Sequence, residues 1–232
     1  MNWINWLNTF FTAPARQSGP DSIAHRVGEH LVLSGQGLLY AAVLAIPLGL
    51  LIGYTGRGAV AVTALTGVAR ALPTLGLVTL AVLIAGVGDT AILLPLVALA
   101  APPLLVATVE GIRGTDPELR DAALGTGLTH RQVLFQVCLP LALPALLAGL
   151  RTAAVQVIAT ATVAAYVGLG GLGRYVIDGL ATRDFAATLG GALLVVLLAV
   201  ATQLLFAVLI RYALPRGVRA QRAAAVETGR SS

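Results

Sequence analysis

Catalysis needs reactive side chains gathered in one place, and this sequence offers few candidates. His25, His30 and His130 are scattered and Cys138 is the single cysteine, so neither an internal disulfide nor a Cys- or His-built metal site is expected. Gly168-Leu169-Gly170-Gly171-Leu172-Gly173 matches the glycine pattern that, between a strand and a helix, cradles a dinucleotide pyrophosphate. Here it follows a long apolar run, and no acid stands about 20 residues further on, so the required context fails. A phosphate-binding P-loop needs a lysine and the chain has none, so no bound cofactor is expected and any ATP use belongs to another subunit. No nucleophile lies beside a base, and an enzyme is not expected.

The informative polar stretch is DAALGTGLTHRQVLFQVCLP, residues 121–140. Just before it, Asp116-Pro117 reads as a helix start, with Asp as N-cap and Pro at the first helical position. That helix places Leu119, Ala122 and Ala123 on one face and should stop near Gly125 or Gly127. Thr129, with Gln132 three residues on, reads as a capping box opening a second short helix. Pro140 and Pro144 are expected to close the unit. Connections are usually about 4–6 residues long, and this one has roughly thirty. A long, well-capped loop points to a docking surface for a partner. Cys138 within it is expected to be reachable by thiol reagents.

The elements that carry this loop are apolar. Only 11% of residues are charged against 57% apolar, with a mean hydropathy of +0.88, too little polar material to cover a water-facing surface. The expected fold is an all-α membrane protein, a polytopic bundle of about five spans and possibly six. Runs near the length needed to cross the hydrocarbon core lie at Leu31–Tyr54, Ala59–Val87, Thr90–Val109, Leu141–Val167 and Ala186–Ile210. The second is interrupted by Arg70 and Pro73 and could be two.

Arginine placement sets the orientation. With the N-terminus outside, ten arginines lie inside, counting Arg151 at an inner helix end, and four outside. The loop 111–140 is then cytoplasmic. Residues 1–30 read as an external or interfacial segment carrying Trp3, Trp6 and Phe10 at helical spacing, 31–210 as the membrane domain, and 211–232 as a cytoplasmic Arg-rich tail. The basic balance belongs to membrane orientation and not to nucleic acid. Gln156, Thr160 and Tyr166 in the fourth run could line a polar path or bond neighbouring helices. Gly168, Gly170, Gly171 and Gly173 read as a flexible outer loop that suits docking of a binding protein.

The pattern Asp121-Ala122-Ala123, three residues, Gly127, nine residues, Val137-Cys138-Leu139-Pro140 resembles the EAA loop of ABC importer permeases. Asp121 and Val137 stand where the family pattern has Glu and Ile. The runs HLVLSGQGLLYAAVLAIPLGLLIGY, ALPTLGLVTLAVLIAGVG and GLRTAAVQVIATATVAAYVGLGGLG are similar to the spans and outer loop of the glycine betaine/choline permeases. The resemblance implies the cell-membrane permease subunit of an importer for a quaternary amine such as glycine betaine, choline or carnitine. It implies that Asp121, Ala122, Ala123, Gly127, Val137, Leu139 and Pro140 form the coupling element. The implied partners are a pair of ATP-binding subunits, a second permease copy or paralogue, and an external or periplasmic substrate-binding protein. The alternatives are a methionine or amino-acid importer permease and an ion-gradient carrier. Tyr40, Tyr166 and Phe206 are too sparse for an aromatic cage around a quaternary ammonium, which places the selective site on the binding protein.

Overall fold

The computed structural model describes residues 2–213, and every regular element among them is helical. α1 (Trp3–Thr12) is followed by the long α2 (Ile23–Thr55), then α3 (Ala59–Ala71), α4 (Thr74–Ala85) and α5 (Asp89–Arg113). Next come α6 (Pro117–Gly125), the single turn α7 (His130–Gln132), α8 (Leu139–Ala161), α9 (Gly173–Thr182) and α10 (Phe185–Ala213). Among the described residues, four helices are long and apolar enough to cross a membrane: α2, α5, α8 with its flanking turns, and α10.

The core is a seam of small residues. On α2, Gly37, Ala41, Ala45, Gly49 and Gly53 recur every fourth position and are buried. On α5, Leu96, Ala100, Leu104, Thr108 and Ile112 recur at the same interval and are fully buried. Rows spaced by four are the ridges that interlock when two helices pack closely. In a membrane such small positions let backbones approach and gain dispersion contacts that lipid would not supply. The approach is close: a Cβ on Gly49 would lie 2.6 Å from the Thr108 Cβ, and one on Gly53 2.8 Å from the Ile112 Cβ. α8 packs on an adjacent face of α5, where a Cβ on Gly111 would sit 3.0 Å from that of Ala145.

Several boundaries depart from the apolar runs. α2 begins eight residues before Leu31, because Ser22 caps it by accepting from the His25 N–H at 3.3 Å. The second run breaks at Leu72-Pro73: proline drives its predecessor into extended backbone, and Leu72 sits at φ −73°, ψ 127°. The expected second crossing is therefore divided between α3 and α4, neither of which is long enough to cross alone. The Arg70 side chain and the tail from residue 214 lie outside what the structure describes.

The largest correction is at the fourth span. Pro140 does not end the second short helix, because Val133–Cys138 forms a π-helical turn that joins α7 directly to α8. Proline lacks an N–H and clashes with the carbonyl four residues earlier. A widened turn relieves both problems, and here the Leu139 N–H reaches back to the Leu134 carbonyl. One helical body thus runs from His130 to Ala161. Arg151 falls well within it, not at an inner helix end, and leaves the inner arginine count at nine against four.

α1 docks on α9 and α10. Phe10 is buried edge-on to Tyr175, with ring centroids 5.2 Å apart, and lies where a side chain on Gly190 of α10 would be. Trp6 stacks on Phe185 at 5.5 Å.

Gly49→Ala is expected to destabilise the bundle by about 1–3 kcal/mol through overpacking against Thr108. Gly35→Ala, whose Cβ would meet nothing within 4 Å, should be neutral or slightly stabilising. Thermal unfolding midpoints in detergent check the pair, and equal midpoints would remove the seam from its central role.

Candidate functional site

At one end of the bundle α6 is held as a compact platform. The Asp116 carboxylate accepts from the Glu118 N–H at 2.9 Å and opens the helix. Gly127 ends it at φ +90°, a conformation that only glycine adopts without strain. The Thr129–Gln132 capping box is complete, with the Thr129 N–H donating to Gln132 Oε1 at 2.7 Å. Beneath the platform, Ala123, Leu124, Leu128, Val137 and Leu139 pack on a buried cluster of Ile112, Val133, Cys138, Ala142 and Leu146. Arg120 donates to the Ile112 carbonyl and lies 5.4 Å from the Tyr54 ring centroid. The Tyr54 hydroxyl meets His130 Nδ1 at 2.9 Å.

The predicted residues divide into two layers. Asp121, Ala122, Gly127 and Pro140 are exposed, together with Leu119 at 44% and Phe135 at 50%. Ala123, Val137 and Leu139 face inward and anchor the platform. Cys138 is fully buried, so the expected access for thiol reagents is wrong: the π turn rolls that side chain under α6.

At the other end the glycine loop is pinned, not loose. Gly168 and Gly171 take φ of +87° and +91°. The Gly171 N–H donates to Glu29 Oε2 at 2.8 Å, and Arg26 Nη1 holds the same oxygen at 2.9 Å. His25 Nε2 lies 3.3 Å from the other Glu29 oxygen. A Cβ on Gly170 would collide with the Glu29 carboxylate, and one on Gly171 would lie 3.1 Å from His30 Nδ1. Gly173 opens α9 against the Thr162 carbonyl. Arg26 also bonds Asp21 at 2.7 Å and thereby holds that carboxyl below the usual carboxylate range. The fully buried His30 donates from Nε2 to the Ile158 carbonyl at 3.0 Å; a carbonyl can only accept, so the tautomer is fixed. Beside this loop, a cavity of about 580 Å³ is lined by His25, Glu29, Gln36 and Gly170.

Between the two ends, Gln156 and Thr160 share one cleft of about 500 Å³ with Arg151, Thr152 and Gln203. Tyr166 does not join them: it is 61% exposed on the 3-10 turn Thr162–Val167. Glu29, His30 and Gln203 are the residues that sequence reasoning missed. Glu29 stands three residues after Arg26, a spacing that reads as an ordinary solvated helix pair. Gln203 gave a weak signal, an amide inside the most apolar helix.

Glu29→Ala should free the Gly171 N–H and leave Arg26 with a single carboxylate. Hydrogen exchange in residues 168–173 is expected to quicken about tenfold, the equivalent of one lost charge-assisted bond. Unchanged exchange would mean that other contacts hold the loop.

Comparison with known proteins agrees with this architecture. Residues 45–219 match the family described as binding-protein-dependent transport system inner membrane component. The chain is 31% identical to the glycine betaine/carnitine/choline transport system permease protein OpuCB of Bacillus subtilis, over 94% of this chain and 99% of that one. It is 34% identical to the choline transport system permease protein OpuBD of the same organism, over 91% and 92%. Its fold matches a chain of the inward-facing MetNI methionine ABC transporter with a TM-score of 0.70 at 23% identity, covering 82% of this chain and 95% of that one. By the family match and these near-full-length identities, the chain belongs to the binding-protein-dependent transport system inner membrane components and is a multi-pass membrane permease.

Proposed function

We propose that this chain is the permease subunit of an ABC importer for quaternary amine osmoprotectants such as glycine betaine, carnitine or choline. The observation that carries the reading is its likeness, over nearly the whole chain, to permeases named for those substrates. The likeness to the methionine transporter is one of fold.

The exposed face of α6 supports a role in coupling. Leu119, Ala122, Gly127 and Phe135 present apolar and small groups beside the carboxylate of Asp121 on a rigid base, as a surface meant to be covered does. Its partner is an ATP-binding subunit on the cytoplasmic side, and the permease itself performs no covalent chemistry and binds no nucleotide. A second permease, identical or paralogous, completes the pore, and a substrate-binding protein docks on the glycine-loop end. Strokes of the ATPase reach the spans through a short route: α6 bears on α2 through Arg120 and Tyr54, and on α8 through the His130–Cys138 turns.

Phe135→Asp tests the coupling surface. The residue is half exposed, so the fold should tolerate the charge, whereas a covered apolar contact would not. The variant should reach the membrane at normal levels, lose co-purification with the ATP-binding subunit by about tenfold or more, and lose uptake in proportion. Uptake of glycine betaine at the wild-type rate would remove this face from the coupling interface.

A further inference from the structure

Arg151 is the one charged side chain on the cleft between α8 and α10, among the residues described. The cleft lies inside the membrane-spanning part of the bundle. Ile158 is level with His30 at one end, and Arg151 lies seven residues below it, about 10 Å along the helix. His130, level with Tyr54 at the other end, is roughly 30 Å away. No ion pair or hydrogen bond holds the Arg151 guanidinium among the described residues, and no acid lines the cleft. A guanidinium at that depth is costly and calls for a partner charge. The partners at hand are neutral: the Gln156 and Gln203 amides and the Thr160 hydroxyl, beside the apolar walls of Val155 and Ala159.

We propose that Arg151 receives the carboxylate of a zwitterionic quaternary amine in transit, so that this permease favours betaine- and carnitine-type substrates over choline. The inference rests on the substrate class proposed above. A guanidinium presents a planar fork of donors that matches a carboxylate in two parallel bonds. Choline has no carboxylate, and its fixed positive charge is repelled by the same group. The trimethylammonium end, without a donor of its own, rests against the aliphatic walls while the amides serve the carboxylate. The cleft has the volume of a small-molecule site.

The test is the ratio of glycine betaine to choline uptake in vesicles that carry the permease with its ATP-binding subunit and binding protein. Arg151→Gln should lower that ratio about tenfold, the worth of one charge-assisted contact. A ratio within twofold of wild type overturns the proposal. If Arg151→Gln does not assemble, the ratio is read on Arg151→Lys, which keeps the charge and loses the fork; a fall of threefold or more supports the proposal and no change overturns it. Where the wild type carries glycine betaine but no choline, Arg151→Gln should cut glycine betaine uptake about tenfold and Arg151→Lys should restore at least a third. A lysine variant no better than the glutamine one overturns it, as does a wild type that carries choline alone. Wild-type vesicles that take up none of glycine betaine, carnitine or choline overturn the function itself, and the inference falls with it.

Discussion

The interlocking of α2 and α5 is the constraint on which the rest of the molecule depends. Two helices can lie this close only if one presents glycine and alanine wherever the other presents a side chain. Gly37, Gly49 and Gly53 meet Leu96, Thr108 and Ile112 in that way. Dispersion between closely packed backbones replaces the hydrophobic drive that lipid removes. Once α2 is fixed on α5, its length fixes the separation of the two polar ends. From Glu29 to Tyr54 is about 37 Å of helix, somewhat more than the hydrocarbon thickness.

That geometry makes α2 a strut between the two ends. Its N-terminal part holds the glycine loop through Glu29 and the end of α8 through His30. Its C-terminal end meets the platform through Tyr54. α8 contacts the same two regions, and the π turn is what makes it continuous with the platform. The platform is therefore tied to both long helices, with continuous helix and no flexible linker at Pro140.

Polar groups are distributed with matching economy. Beside the glycine loop, Asp21, Arg26, Glu29 and His25 are linked in one chain of contacts. Tyr175 closes over that chain, donating to the Asp21 carbonyl at 2.7 Å, with Arg16 4.5 Å from its ring centroid. Arg151 differs from that chain in its surroundings: it lies in a cleft lined by amides, hydroxyls and apolar groups, with no acid among the lining residues.

Features set by neighbours in the chain could be read from residue order. Apolar runs announced the spanning helices because insertion depends on summed hydropathy over a window. The Asp116 cap, the Gly127 stop and the Thr129–Gln132 box were legible because capping bonds close within three or four residues. Tertiary structure decided whatever depends on partners distant in sequence. Glu29 meets Gly171 across 142 positions and His30 meets Ile158 across 128, so a loop that reads as flexible is pinned. The passage of helix through Pro140 depended on a π turn packed beneath α6, and the same turn buried Cys138. Arg151 changed from an orientation marker to a charge within the bundle once that helix became continuous. Local hydrogen bonds and hydropathy are properties of the sequence, while burial and pairing belong to surfaces that exist only after the helices pack.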